Sequence, residues 1–275
     1  MRVLLISTNK IRVPRPALPI GMAYISAALK HAGHQVDVLD LLWESRELKA
    51  VREKLTTGTY AVVGIAVRNL DNLTFIDPVF FGPMTEKIVQ CVRKYTSATV
   101  VLGGSGFSVE PLSFFEYAQP DYGIAGEGEA GIVQLLDHLE SGGRLESISG
   151  LCYLDDNGKF CQNQSSQAFD LGALEPDRSV YDPRYFEEGV SAASDLTRDH
   201  QPAIETLQTK RGCKLFCSYC ITARPRARAT GSRTRPRSSE RSSGRWRRTR
   251  PCGSSRSSTL PSTTRLSTPP RCARR

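Results

Sequence analysis

Hydrophobic and polar positions over the first 140 residues follow two alternating rhythms. Short apolar-rich runs stand at RVLLIS (2–7), QVDVLD (35–40), AVVGIAV (61–67), TVVLGG (99–104) and, more weakly, DYGIAG (121–126). A run that is apolar throughout suits a strand covered on both faces. Between these runs the apolar residues recur at helical spacing. The clearest case is LPIGMAYISAALKHAG (18–33), where Pro19 suits a helix start and Gly33 a helix stop. Further helical stretches lie near 45–56, 83–95, 111–118 and 129–141. Five strands alternating with helices predict an α/β fold built on a parallel sheet with helices on both faces.

Such sheets bind ligands beyond the carboxyl ends of their strands, and the unusual residues of this chain fall there. Ser7, Thr8 and Asn9 follow the first strand. Arg68, Asn69, Leu70, Asp71 and Asn72 follow the third. Gly103, Gly104, Ser105, Gly106 and Phe107 follow the fourth, and Gly126, Glu127, Gly128 and Glu129 follow the fifth. Glycine lets backbone approach a ligand closely or take positive φ. Four such loops on one edge predict a binding site.

After residue 145 the pattern changes. ISGLCYLDDNGKFCQ holds two alternating runs around Asp156-Asn157-Gly158, a hairpin signal that puts Cys152 and Cys161 on its two strands, read as small buried thiols. Residues 165–203 show little periodicity and read as an extended connector, and AIETLQT (203–209) reads as a further strand. It leads into TKRGCKLFCSYC, which places Cys213, Cys217 and Cys220 within eight residues. No apolar run approaches the roughly 20 residues of a membrane span, and the amino terminus lacks the long apolar segment of a signal peptide. The chain therefore reads as cytoplasmic, and its eight cysteines as reduced thiols suited to metal or redox chemistry. Zinc normally takes four protein ligands, whereas three thiolates on a 4Fe-4S cluster leave one iron free for an exogenous molecule. Gly212 eases the turn, and Lys210 and Arg211 are expected to offset the cluster's negative charge. A zinc site or a two-iron cluster stays open at this point.

CxxxCxxC resembles the signature of the radical S-adenosylmethionine (SAM) superfamily. The resemblance implies that the fourth iron chelates SAM and that Tyr219, the aromatic residue before the third cysteine, lies near the adenine. Residues 1–145 look like the cobalamin-binding domain, flavodoxin-like or Rossmann-like, that precedes the radical SAM barrel in one large subgroup. The matching pieces are Pro19-Ile20-Gly21, Ala32-Gly33-His34, Val101-Leu102-Gly103-Gly104 and Gly126-Glu127-Gly128-Glu129. The subgroup's cofactors are cobalamin, a 4Fe-4S cluster and SAM. Its implied chemistry is methyl transfer to an unactivated carbon, with a reductant such as flavodoxin or ferredoxin and a small-molecule or peptide substrate. The DxHxxG motif that gives some cobalamin proteins a cobalt ligand is absent, and His31, His34, His138 and His200 stand in other contexts. The resemblance implies instead that the Arg68–Asn72 loop lies beside the lower face of the corrin.

Charge divides the chain. Residues 221–275 hold 16 arginines, no lysine and one acid, Glu240, a net +15 against the whole chain's +9, so residues 1–220 carry −6. Arg, Ser, Thr and Pro make up 41 of those 55 residues, and large apolar residues are reduced to Ile221, Trp246, Leu260 and Leu266. Such a segment is expected to be disordered. Its composition is what an out-of-frame reading of a G+C-rich gene yields. A nucleic-acid-binding basic arm and an ordinary linker are the other readings, and nucleic acid is not the expected partner. The expected organisation is a cobalamin-binding domain (1–145), a hairpin and connector (146–202), the opening of a radical SAM domain (203–220) and the basic tail (221–275). As encoded, the chain is expected to keep the corrin site and to lack most of the catalytic barrel. A cobalamin-binding module with no enzymatic role is the alternative from another class.

Overall fold

The computed structural model describes residues 1–12, 16–72, 74–165, 170, 172–188 and 206–212. Its sheet is organised around β1 (Arg2–Ser7), which pairs in parallel with β2 (Gln35–Asp40) on one side and β3 (Val62–Ala66) on the other. β4 (Thr99–Gly103) and β5 (Tyr122–Ile124) continue in parallel beyond β3. The chain thus leaves β1 toward one edge and resumes at β3 on the other side, the order reversal that opens a crevice at the strands' carboxyl ends.

The reason lies in the side-chain alternation of β1. Leu4 and Ile6 enter one apolar cluster with Val51, Leu55, Ile88, Val92 and Phe114. Val3 and Leu5 enter another with Met22, Leu29, Ile132 and Leu135. The first cluster carries α2 (Glu47–Thr57), α3 (Gly82–Tyr95) and α5 (Pro111–Ala118), and the second carries α1 (Ile20–His31) and α6 (Gly128–Ser141). A strand buried on both faces needs helices on both. β2, at the sheet's edge, is only half-buried and is polar at Gln35, Asp37 and Asp40.

Most elements stand where the hydrophobic pattern predicts them. Ser105, Gly106 and Phe107, read as loop, instead begin a short helix, α4 (Ser105–Val109). The predicted hairpin forms from β6 (Leu151–Leu154) and β7 (Phe160–Gln162), and it joins the same sheet, with β6 antiparallel to β5. Cys152 lies opposite Gln162, and Cys161 lies opposite Tyr153. The two thiols therefore point to opposite faces of the sheet and form no disulfide with each other.

The connector departs from the expectation of an extended chain. Its residues 177–188 fold back onto α1 and the β2 edge through a 3-10 turn (Arg178–Val180) and a short helix, α7 (Arg184–Glu188). Asp177 accepts hydrogen bonds from Ser26 and Lys30, both at 2.6 Å. Tyr185 donates to Asp40 at 2.5 Å and packs its ring edge-on against Trp43 at 5.1 Å. Burial and the Asp40 carboxylate both push the Tyr185 phenol upward, so it stays a donor. These anchors are isolated residues at wide spacing, which no periodicity reveals. Residues 206–209, predicted as a strand with 203–205, belong to no strand, and 203–205 lie outside the described residues.

Burial alone would raise the Asp177 carboxyl, yet hydrogen bonds from Lys30, Ser179 and Ser26 hold it at about 2, against an ordinary 3.8. A depressed folded value means stabilisation that is complete above pH 3.8 and lost as pH falls through about 2. Asp177→Asn is expected to cost about 1–2 kcal/mol at neutral pH, the solvent-exposed Lys30 ammonium keeping the figure low. Chemical denaturation of both forms should show that gap shrinking between pH 4 and pH 2.

Candidate functional site

Because β1, β3, β4 and β5 are parallel, the loops that follow them meet at one edge of the sheet. This is the edge where the sequence puts the candidate residues. After β1, Ser7 is buried, and Thr8 donates to the Ala66 carbonyl from both its amide (3.3 Å) and its hydroxyl (3.1 Å). Asn9 is also buried. Its side-chain oxygen accepts from the Ile11 amide at 3.2 Å, while its Nδ2 has no hydrogen-bond partner among the described residues. Lys10, which the sequence did not single out, ties this loop to the turn after β2. It donates to the carbonyls of Leu41 (2.8 Å) and Glu44 (2.6 Å) and pairs with Glu47 at 3.0 Å.

After β3, Arg68 is exposed, and its carbonyl accepts from the Ser105 hydroxyl at 2.6 Å. Asn69 is half-buried, and Leu70 packs against the core. Asp71 bridges to Phe80, and the Asn72 side chain staples its own loop, donating to the Asp77 carbonyl (2.7 Å) and accepting from the Val79 amide (2.9 Å). The loop thereby projects Phe75 and Ile76 almost wholly into solvent, at 99% and 97% exposure. A shallow concavity of about 560 Å³ lies among Asn72, Thr74, Phe75, Ile76 and Asp77. This apolar tip was missed. Its signal was present in LTFIDPVFF (73–81), an apolar stretch where a connecting loop is ordinarily polar.

The loop after β4 sits back to back with the loop after β3. The Val67 amide donates to the Gly103 carbonyl (2.8 Å), and the Gly106 amide donates to the Val67 carbonyl (2.9 Å). Gly104 takes φ +97° with ψ 172°, a region open almost only to glycine. A Cβ there would lie 2.5 Å from the Val67 carbonyl oxygen, and one at Gly106 would lie 2.8 Å from the Asn69 carbonyl carbon. At these two positions the structure gives glycine a chain-packing role, where the sequence suggested approach to a ligand. Gly103 has room for a Cβ, 3.7 Å from the Ile124 carbonyl oxygen.

After β5, the Gly126 amide donates to the buried Ser108 hydroxyl at 2.9 Å, Glu127 is half-buried, and Gly128 opens α6. Glu129, in the first turn of α6, is 4% exposed and pairs with Arg211 at 2.6 Å. The Arg211 guanidinium also lies 4.9 Å over the Tyr24 ring and donates from Nε to Gln208 at 2.9 Å. Arg211 was expected to offset a cluster's charge, and Glu129 to meet a cofactor. The structure brings the two together, because a buried carboxylate requires a cation close by.

Cys213, Cys217, Cys220 and Tyr219 lie outside the described residues, as does the basic tail from 221 on. Among the described residues no group of three or more His, Cys, Asp and Glu is placed to hold a metal ion. His31, His34 and His138 stand at the opposite, amino edge. The His34 Nδ1 lies 3.0 Å from the amino terminus, which pairs with Glu140 at the end of α6. His200 is outside the described residues. No helix among the described residues is long and apolar enough to cross a membrane.

Comparison with known proteins agrees with this arrangement. Residues 7–136 match the family model of the B12 binding domain. The chain is 30% identical over 147 residues to the tryptophan 2-C-methyltransferase of Streptomyces laurentii, covering 53% of this chain and 24% of that protein. It is 25% identical over 207 residues to the hopanoid C-3 methylase of Methylococcus capsulatus, covering 74% and 35%. The radical S-adenosylmethionine methyltransferase TsrM from Kitasatospora setae, solved with cobalamin and a 4Fe-4S cluster bound, aligns with a TM-score of 0.65 at 26% identity, over 85% of this chain and 43% of that one. The cobalamin-dependent S-adenosylmethionine radical enzyme OxsB shares the fold, with a TM-score of 0.66 at 18% identity. The chain thus spans less than half the length of each of these proteins.

Replacing Gly104 with alanine is expected to destabilise the protein by about 1–3 kcal/mol through its backbone conformation. Gly103→Ala should stay within about 0.5 kcal/mol. Thermal unfolding of the two variants checks the difference. Equal effects would remove the packing role assigned to Gly104.

Proposed function

We propose, from the match of residues 7–136 to the B12 binding domain and the likeness to cobalamin-dependent radical SAM methyltransferases, that this chain binds cobalamin along the carboxyl edge of its sheet. The reading extends to methyl transfer onto an unactivated carbon. The observation that carries the cobalamin assignment is the meeting of four loops on that edge, within the segment that matches the domain. The residues present fit the group. Cobalamin is a broad macrocycle fringed with amides. The edge offers the buried Asn9 amide, whose Nδ2 has no partner among the described residues, the exposed Gly104–Ser105 turn, and the apolar tip of Phe75 and Ile76.

Ser7, Thr8, Asn9, Arg68–Asn72, Gly103–Gly106 and Gly126–Glu129 are the residues assigned to this site. They fall into two kinds of work. Asn9, Arg68 and Ser105 have groups at the edge, whereas Asn72, Gly104, Gly106 and Glu129 hold the loops in shape. The Arg68–Asn72 loop is assigned to the lower face of the corrin, with no protein histidine on cobalt, and the amino-edge positions of the three described histidines support this. Bound cobalamin would supply a methyl carrier, and a 4Fe-4S cluster with SAM would supply the methyl donor and one-electron chemistry. Cys213, Cys217 and Cys220 are the residues assigned to hold the cluster, and Tyr219 the one assigned to the SAM adenine. The electron source is proposed to be a flavodoxin-like or ferredoxin-like reductant.

A second reading, a cobalamin-binding module without turnover, draws on the composition of residues 221–275. These have none of the strand or helix periodicity of the βα units a radical SAM barrel requires. Anaerobic reconstitution of the full chain with hydroxocobalamin, iron and sulfide separates the readings. Retained corrin absorbance after desalting is expected, and a cob(II)alamin electron paramagnetic resonance spectrum without nitrogen splitting from a protein ligand. Failure to retain the corrin would overturn the proposal. Formation of 5′-deoxyadenosine or of a methylated product from SAM under reductant favours the enzyme. Corrin binding with neither product favours the module.

A further inference from the structure

Arg211 stands two residues before the first cysteine of the CxxxCxxC motif, and 82 positions after the glutamate it meets. Few side chains in the described structure are held from so many sides. Glu129 takes one guanidinium nitrogen at 2.6 Å, Gln208 accepts from Nε at 2.9 Å, and the wholly buried Tyr24 of α1 lies beneath the guanidinium plane at 4.9 Å. The arginine side chain is 11% exposed and the glutamate side chain 4%. A guanidinium engaged by a carboxylate, an amide and an aromatic face at once has a fixed orientation that a flexible ammonium would lack.

We propose that Glu129, Arg211 and Tyr24 form a latch that docks the segment entering the cysteine motif against the carboxyl edge of the sheet. This rests on the reading of that edge as the cobalamin site. It makes Arg211 a positioning residue, which sets where the cluster-binding segment begins relative to the corrin. The anchoring groups suit the task. Glu129 belongs to the first turn of α6, immediately after the loop assigned to the cofactor, and Tyr24 belongs to α1, which packs beside α6. Both are rigid parts of the sheet's helical cover. The helix amino terminus favours negative charge at this position, which suits Glu129 to accept a guanidinium. A buried ion pair of this kind is better at fixing geometry than at adding net stability. Beyond it the chain turns at Gly212, with φ +75°. Two residues span roughly 7 Å at most, so holding Arg211 restricts where the cysteine motif can start.

Hydrogen–deuterium exchange on the full-length chain, without cofactors, tests the latch. In Arg211→Ala and in Glu129→Gln, peptides covering 206–212 are expected to exchange at least tenfold faster than in the wild type, with β1, β3 and β4 unchanged. The double variant should exchange no faster than the faster single variant, since both remove one contact. Arg211→Lys should fall between Arg211→Ala and wild type. Arg211 contributes nothing to the sheet's apolar clusters, so its variants decide the question even if Glu129→Gln unfolds. Unchanged exchange in the Arg211 variants, or rates that multiply in the double variant, would overturn the latch. Hydroxocobalamin titration of the same wild-type sample keeps the two proposals apart. A chain that takes up no corrin but passes the exchange test loses the cobalamin reading and keeps the docking contact.

Discussion

The double-sided burial of β1 is the constraint on which the rest of the structure depends. Val3 and Leu5 face α1 and α6, while Leu4 and Ile6 face α2 and α3. A central strand apolar on both faces must be flanked by strands and covered by helices, and parallel neighbours need crossover connections. β2 then takes one side of β1 and β3 the other, and the chain's loops separate by edge. Those that follow strands carry the polar, glycine and acidic residues. Those that precede strands carry His34 and the amino terminus. The candidate site is a consequence of this topology before it is a property of any one residue.

Much of this was legible in the sequence, for a physical reason. Buried parallel strands are written as short apolar runs, and the helices covering them repeat every three to four residues, so RVLLIS and the stretch around Met22–Leu29 announce themselves. The hairpin turn at Asp156-Asn157-Gly158 was legible through its turn chemistry. What stayed hidden depends on single distant partners. Nothing local to Asp177 indicates that it will meet Ser26 and Lys30, and nothing local to Tyr185 points to Asp40. Ser105, Gly106 and Phe107 were read as part of a glycine-rich loop, yet they begin a helix braced by the Val67 backbone.

The candidate site was legible as a set of loops, less so as roles. Glycines at 104 and 106 stand where two loops touch each other, and a sequence cannot tell backbone-to-backbone approach from backbone-to-ligand approach. Glu129 and Arg211 were each marked for chemistry, and the structure joins them across 82 residues. That contact links the two halves of the functional argument. The segment that matches the B12 binding domain supplies the edge, and the segment leading to the cysteines is fastened to the same loop region.

The central claim is that the carboxyl edge of this sheet is the cobalamin site. Hydrogen–deuterium exchange with and without added hydroxocobalamin tests it most directly. Slowed exchange is predicted at residues 7–10, 68–80, 103–108 and 126–129, with the amino-edge segments 31–35 and 138–143 unaffected. Unchanged exchange at all four loops, or protection centred on the amino edge, would contradict it.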